Sequence, residues 1–316
     1  MLNNNDILTK ILLKSHLNKE LRIIMEEQTK KGVKYMILAS LLFAIMGAFA
    51  KELSNSMPSI EIVFFRNVFG VFIIGYSIFR RPLKQVGGKP FLLIFRGLIG
   101  FTALLFFFYT ISKISLAEAM TFSKTSTIFT AIFAYFFVKE KLGKKGWLGI
   151  FIGFIGILFI TKFDGSNLEK TDYLGILAGV GAGLAYTSIR ELKNYYEGRT
   201  IVLSFMLIGT IAPVILMTIG NFYHNSSLDF LISRFVLPSS NDIIFIILLG
   251  LVSSYAQIYM TKAYSVAKAG IIGTISYSNI AFSIVLGLVL GDSFPDIWII
   301  LGIFLIVISG LLVSKK

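Results

Sequence analysis

The sequence predicts an all-α integral membrane protein whose ten transmembrane helices form two inverted five-helix repeats. Three observations carry this prediction: an apolar composition, a succession of long apolar runs, and a charged signature that occurs twice. Hydrophobic residues make up 55% of the 316-residue chain, and charged residues make up only 15%. Soluble domains carry about 25% charged residues, so this composition indicates a chain that lies largely within a lipid bilayer.

Ten apolar runs are each long enough to cross a bilayer as a helix, which takes roughly 17–25 residues. The segments between them are mostly short and carry Gly, Pro, Lys or Asp, and RRPLKQVGGKP at 80–90 is typical of a surface turn. The predicted spans are 33–51, 60–79, 91–112, 115–138, 146–162, 173–190, 201–220, 242–261, 269–290 and 297–314.

Most Lys and Arg residues lie in segments that would share one side of the membrane with the N-terminus. Because cytoplasmic loops are enriched in Lys and Arg, this distribution predicts that both termini are cytoplasmic. We expect a multi-pass protein of the bacterial inner membrane. The formal net charge of +13 then reflects topology, and its placement between apolar runs argues against nucleic-acid binding.

The chain is expected to divide into a polar N-terminal segment and two membrane-embedded repeats. Residues 1–31 are charged, with short apolar pairs, and predict a cytoplasmic tail that is either an amphipathic surface helix or disordered. Met25 is an alternative start, since positive residues follow it directly before the first span. The first repeat is predicted at 32–162 and the second at 173–315.

A charged signature marks the same place in both halves. KELSN at 51–55 follows the first predicted span, and RELKN at 190–194 follows the sixth. A second overlay pairs 136–162 with 288–315. Each half holds five spans, an odd number, so the second half must enter the membrane from the opposite side. Transporters with such inverted repeats bind their substrates near the bilayer midplane, between the repeats.

Three further segments carry a family resemblance: FFRN at 64–67, FRGLIGF at 95–101 and the span-4 sequence at 116–142. With the ten spans, they make the chain resemble the EamA-type transporters of the drug/metabolite transporter superfamily, over about residues 32–315. The first two segments look most like the branch that includes S-adenosylmethionine uptake carriers.

The resemblance implies a central cavity lined mainly by spans 1–4 and 6–9, with spans 5 and 10 at the periphery. Family members often carry Pro in spans 4 and 9, near the positions of Thr127 and Asn279 in this chain. We therefore expect a proline kink to be missing here, so that the substrate site cannot be copied from any relative.

Lys124 is the leading candidate for substrate contact, because it lies about 14 Å into span 4 by the helical rise. Ionisable groups inside a bilayer usually face a cavity or a partner. Glu118 lies nearly on the opposite helical face, so the lysine needs another anion, such as a substrate carboxylate or phosphate. Thr121 belongs to the polar run around it. The alternatives are a polar contact between helices and a role in proton coupling.

Two arginines also lie inside predicted spans. We expect Arg66 to face the cavity or to act in gating, paired with Glu61 or Glu118. The alternative is a structural role, in which the arginine connects helix ends. Arg96 follows a basic loop, so we expect its side chain to reach lipid phosphate headgroups.

The second half offers hydrogen-bonding groups at the corresponding depth. Overlaying the halves with an offset of about 152 residues places Ser276 opposite Lys124. The predicted contacts there and on neighbouring spans are Tyr277, Ser278, Asn279, Gln257, Tyr255 and Tyr186. One half would thus supply charge and the other half uncharged donors and acceptors.

The same residue inventory predicts the function class. Cys is absent and His occurs only twice, outside the spans, so no metal or cofactor is expected. No phosphate-binding P-loop motif occurs, and the scattered acids argue against an enzyme. We expect a secondary transporter that moves an anionic or zwitterionic metabolite, such as an amino acid or nucleotide-like compound, by alternating access. H⁺ is the candidate coupling ion, and a membrane enzyme or a channel is the alternative.

Overall fold

A computed structural model of the chain describes the backbone of residues 4–84, 86–137, 139, 143–161, 168–223, 225–266, 272 and 275–314. Side chains are described from residue 27 onwards within those ranges, except at 190, 226, 261, 264, 265 and 314. All regular secondary structure in these ranges is helical.

A helix lies in each of the ten predicted spans, and span 4 consists of two. The α-helices are α1 (Asn4–Leu53), α2 (Ser59–Arg80), α3 (Pro90–Lys113), α4 (Leu116–Lys124), α5 (Ser126–Phe137), α6 (Lys144–Ile160), α7 (Lys170–Leu192), α8 (Gly198–Gly220), α9 (Ser240–Val266), α10 (Ser278–Val289) and α11 (Ile297–Ser314). A short 3₁₀ helix at Ser226–Leu228 lies between α8 and α9. Helix α1 begins well before the predicted first span.

Among the described residues, five helical segments are long and apolar enough to cross a membrane. They are Glu27–Leu53, Ser59–Arg80, Pro90–Lys113, Gly198–Gly220 and Ser240–Met260. Large side chains on the outside of the bundle support contact with lipid, since Phe79 is 84% exposed and Phe91 is 87% exposed. Apolar surface of this extent indicates contact with a membrane or a partner.

Local sequence explains several helix boundaries. Pro90 lies in the first turn of α3, where its missing N–H group is harmless. Ser115 and Glu118 form a reciprocal capping box at the start of α4. Gly87 and Gly88 have φ values of 76° and 113° in the predicted turn between α2 and α3, a backbone conformation that glycine adopts without strain.

The helices pack in pairs that set up a central region and a periphery. Helix α1 packs against α9, α3 against α7 and α2 against α8. A large core forms among these helices and α4, with Leu53, Ile62, Leu105 and Leu249 fully buried in it. Helices α6 and α11 pack chiefly against each other. The expected peripheral position of spans 5 and 10 agrees with this arrangement.

Candidate functional site

Span 4 is interrupted between α4 and α5, and we call this the span-4 interruption. The Thr125 N–H group bonds to the Phe122 and Ser123 carbonyls, both closer along the chain than α-helical geometry requires. The Ile128 N–H group likewise donates to the Thr125 carbonyl at 2.9 Å. These bonds tighten the chain into a 3₁₀-like turn, which inside a helix often marks a functional hinge. No proline lies in span 4, as expected, and the helix is nevertheless interrupted at this point.

Span 9 contains a matching turn, the span-9 interruption. Helix α10 begins at Ser278, after a turn at Ser276 and Tyr277. The Ile280 N–H group donates to the Tyr277 carbonyl at 3.0 Å. Under the offset that pairs Lys124 with Ser276, this bond is the counterpart of the bond between Ile128 and Thr125. Both interruptions thus contain the same type of backbone hydrogen bond. The helices that border them, α4 and α10, pack against each other.

Each interruption also rests against a long helix from the other half of the chain. The Asn279 Nδ2 group donates to the Ser40 carbonyl of α1 at 2.9 Å. On the opposite side, Thr125 packs so closely on Gly179 of α7 that a Cβ atom there would lie 2.0 Å from the Thr125 Oγ1 atom. Both turns, which contain no proline, are therefore held against a neighbouring helix, one by a hydrogen bond and one by close packing.

Lys124 lies in the last turn of α4, where the helix dipole favours a cation. Its side chain is half-buried, and no described residue forms a hydrogen bond or ion pair with it. The two neighbours that were predicted to share this site have local partners instead. The Thr121 hydroxyl donates to the Ala117 carbonyl at 2.7 Å, and Glu118 accepts from the Ser115 N–H group at 3.1 Å.

Two of the contacts predicted in the second half also have partners outside the span-9 interruption. Asn279 is 1% exposed and its amide is bonded to α1. Tyr277 is buried against Gly310 of α11, and its hydroxyl lies near Thr127 without a hydrogen bond of good geometry. Ser278 is half-buried, and its hydroxyl has no partner. Tyr277 and Asn279 thus contact neighbouring helices, and all three residues stay predicted substrate contacts.

The predicted contacts on span 8 both lie on α9. Tyr255 is 54% exposed on α9. Gln257 lines a small pocket with Gly70 and Met206, between α2, α8 and α9. Both residues stay predicted substrate contacts.

Arg66 and Arg96, which we call the guanidinium pair, meet over one aromatic ring. They are 5% and 6% exposed. The guanidinium carbons lie 5.8 Å and 4.7 Å from the ring centroid of Phe205 on α8. Tyr186 of α7 lies within electrostatic range of both arginines. Sequence reasoning predicted Arg66 and Tyr186 but missed Phe205, because a phenylalanine in an apolar helix carries no distinguishing signal.

The partners of the guanidinium pair differ from the predicted ones. Arg66 donates from Nη1 to Asn67 Oδ1 at 3.1 Å, whereas the expected acids bond to other groups. Glu61 accepts from the Val236 N–H group at 3.0 Å, and Glu118 belongs to the capping box. The Arg96 side chain is buried against α8, which contradicts the expected contact with lipid headgroups.

The two charged signatures have unequal roles. Lys51 forms an ion pair with Asp292 and donates to the Ile114 carbonyl at 3.0 Å. Asp292 also accepts from the Leu116 N–H group at 2.8 Å, so these four residues form a clasp that joins α1, α4 and the loop before α11.

In the second signature, Glu191 pairs with Lys89, and this hydrogen bond raises the pKa of Lys89. Arg190, which corresponds to Lys51, has a side chain outside the described residues. In the first signature the cation, Lys51, forms the ion pair of the clasp. In the second signature the acid, Glu191, forms an ion pair with Lys89.

Comparison with known proteins identifies the family. The model of the EamA-like transporter family matches residues 30–162 and 169–315. This chain belongs to that family. Family membership makes it a multi-pass transporter embedded in a membrane, in agreement with the apolar helices.

Relatives in the family have different described roles. An uncharacterized transporter of Helicobacter pylori strain 26695 is 35% identical over 90% of this chain and 94% of its own length. The pseudopaline exporter CntI of Pseudomonas aeruginosa is 30% identical over 90% of this chain and 96% of its own. An S-adenosylmethionine uptake transporter of Rickettsia prowazekii is 21% identical over 84% of this chain and 86% of its own.

Proposed function

We propose that this protein is a secondary transporter that carries a small anionic or zwitterionic metabolite by alternating access. The observation that carries this proposal is the pair of matching interruptions, at Thr125 and at Tyr277, in helices that pack against each other. In secondary transporters, discontinuous helices at the interface of two repeats form the substrate site. Lys124 at the first interruption supplies a cation without a described protein partner.

The packing of the helices supports ten transmembrane spans in two inverted five-helix repeats. The contact between α1 and α9 has its counterpart in the contact between α7 and α3, as the repeat relationship requires. Likewise α1 contacts α10, and α7 contacts α4 and α5. The same operation relates α2 to α8 and α6 to α11, and the two helices of each pair pack against each other.

The charges of the site favour an anionic or zwitterionic solute. Lys124, Arg66 and Arg96 lie within predicted spans, and none of them forms an ion pair with a described carboxylate. Cations in an apolar environment are costly unless an anion compensates them. The relatives are named for different solutes, so we leave the choice among amino acids, nucleotide-like metabolites and other organic anions to experiment.

The proposed setting is the inner membrane of a bacterium, with both termini in the cytoplasm, in line with the distribution of Lys and Arg. In that orientation the clasp of Lys51 and Asp292 lies at the outer end of the bundle and closes the path from outside. A proton gradient is the proposed energy source, with Lys124 as the group that exchanges the proton.

The decisive experiment reconstitutes the purified protein in liposomes and screens labelled amino acids, S-adenosylmethionine and organic anions for uptake. A carrier is expected to show saturable uptake that accelerates when unlabelled solute is present on the opposite side. Ion conductance without such exchange would indicate a channel, and product formation without movement would indicate an enzyme. An imposed pH gradient tests the coupling ion.

The proposed gate can be tested separately, because the chain contains no Cys. In a Lys51→Cys/Asp292→Cys double variant, a cleavable thiol crosslinker is expected to stop transport, and cleavage is expected to restore it. The two single variants treated in the same way are the controls. Full transport by the crosslinked double variant would show that the clasp does not open during the cycle.

A further inference from the structure

The guanidinium pair is a concentration of buried positive charge that no described carboxylate pairs with. Arg66 and Arg96 are both more than nine-tenths buried and lie close enough to repel each other. No carboxylate contributes to the electrostatic surroundings of either side chain among the described residues. Burying a charge costs several kcal/mol unless a partner of opposite sign compensates it. Two such charges on one ring therefore call for an anion beyond the described carboxylates.

The hydrogen-bond inventory indicates where that anion would bind. Arg96 has two buried donors without partners, Nε and Nη1, and Arg66 has one, Nε. Buried donors are almost always satisfied in native proteins, so three of them in one cluster point to a ligand. The Phe205 ring covers one side of each guanidinium group and leaves its N–H edges free to donate.

Neighbouring residues hold the pair in place and are themselves saturated. Asn67 accepts from Arg66 and donates to the carbonyls of Val63 and Gly209, at 2.8 Å and 3.3 Å. A Cβ atom at Gly209 would lie 2.5 Å from Asn67 Nδ2, so α2 and α8 approach closely at this point. Asn67 is thus a positioning residue that fixes the direction of the Arg66 fork.

We propose that Arg66 and Arg96 together bind an oxyanion, the carboxylate or phosphate group of the transported solute. A planar guanidinium fork matches both groups and binds them by parallel hydrogen bonds. Tyr186 faces the same site and supplies a hydroxyl group. This inference rests on the proposed transport function, and it adds a second anion contact on α2 and α3 to the one proposed for Lys124 on α4.

An anionic lipid could offer the same oxyanion, but the depth of the site favours a solute. Arg66 lies about 10 Å from the start of α2 and Arg96 lies about 9 Å from the start of α3 by the helical rise. These two helices run in opposite directions, so the side chains approach the site from opposite ends of the bundle. Lipid phosphates lie at the membrane surface.

The test measures thermal unfolding of the full-length protein in neutral phosphatidylcholine nanodiscs, with citrate, glutamate or inorganic phosphate added. At least one of these anions is expected to raise the Tm of the wild-type protein in a saturable way. Arg66→Gln and Arg96→Gln are each expected to weaken that binding by about tenfold or more, since a hydrogen bond to a charged group contributes that much. Arg96→Lys keeps the charge but lacks the planar guanidinium group, so its anion affinity should lie between those of wild type and Arg96→Gln.

Stability without anion separates a binding role from a structural one. If the pair is a site, Arg96→Gln should unfold at the same or a higher temperature than wild type when no anion is present, because it removes an uncompensated charge. A lower Tm that no anion changes would overturn the proposal. Arg80→Gln is the matched control, because Arg80 lies 5.5 Å from the ring centroid of Tyr76 in an exposed position. It should bind the anions like wild type.

The outcomes distinguish this inference from the proposed function. A Tm increase that requires phosphatidylglycerol nanodiscs, with no response to any free anion, would assign the oxyanion to lipid and overturn the assignment to the solute. Solute flux that survives in Arg66→Gln and Arg96→Gln would overturn the inference but leave the transporter intact. Anion binding that depends on both arginines, without flux of any solute, would support the site and refute transport.

Discussion

The span-4 and span-9 interruptions share a backbone turn but differ in chemistry. At span 4 the turn follows Lys124, a cation that no described residue pairs with. At span 9 the corresponding turn is followed by Asn279, whose amide is bonded to α1, and it contains Tyr277, whose ring is packed on α11. The same fold element thus carries an unpaired charge in one half and buried packing contacts in the other.

This difference shows that the backbone turn and the substrate chemistry do not depend on each other. Both turns arise from the packing of neighbouring helices and need no proline. The substrate chemistry then depends on which side chains each half places beside its turn. We expect that removal of the charge beside the first interruption affects transport, whereas removal of packing contacts at either interruption affects stability.

Lys124→Met should reduce transport by about tenfold or more, because it removes a cation that we propose contacts the solute. Its thermal stability should equal or exceed that of wild type, since an uncompensated charge leaves an apolar environment. Flux in liposomes and Tm in detergent measure the two effects. Lys113→Met, at an exposed position in α3, is the control. A flux of Lys124→Met equal to that of wild type would show that the cation at the span-4 interruption has no role in transport.

Gly179→Ala should destabilise the span-4 interruption. The new methyl group would lie 2.0 Å from Thr125 Oγ1, which is held by its bond to the Phe122 carbonyl. Overpacking of this kind costs about 1–3 kcal/mol. Gly75→Ala is the control, because nothing lies within 4 Å of its Cβ position. A Tm of Gly179→Ala equal to that of Gly75→Ala would show that packing on α7 does not maintain the turn.

Asn279→Ala should lower the stability of the span-9 interruption by about 0.6–1.7 kcal/mol, the range for hydrogen bonds between membrane helices. The bond to the Ser40 carbonyl is lost, but no charge is removed. Transport per folded protein should therefore remain within about twofold of wild type in the flux assay. Loss of flux with unchanged Tm would instead place Asn279 in the substrate site and make the two halves equivalent.

Ser40→Ala should have the smallest effect. The Ser40 hydroxyl is buried without a partner, whereas the interaction with Asn279 uses the backbone carbonyl. Removing an unsatisfied polar group is neutral or stabilises by up to about 1 kcal/mol. A clear fall in Tm would show that the hydroxyl, and not only the carbonyl, supports the contact between α1 and α10.

The sequence by itself determined the class of the protein and the positions of its helices. Apolar run length and charge placement are local properties, so they predict bilayer-spanning segments without knowledge of packing. The ten spans, with FFRN at 64–67, FRGLIGF at 95–101 and the span-4 sequence at 116–142, were together sufficient to identify the family. Lys124 could also be singled out, because a charge within an apolar run is visible in one dimension.

Only the tertiary structure decided which side chains meet. Arg66 was visible in the sequence, but its position beside Arg96 and Phe205 depends on how α2, α3 and α8 pack. The same holds for Lys51, whose partner Asp292 lies in the other half of the chain. Tyr277 and Asn279 matched Lys124 in depth, yet neighbouring helices bury them. Side-chain direction and partner choice arise from contacts between residues distant in sequence, and periodicity along one helix does not encode these contacts.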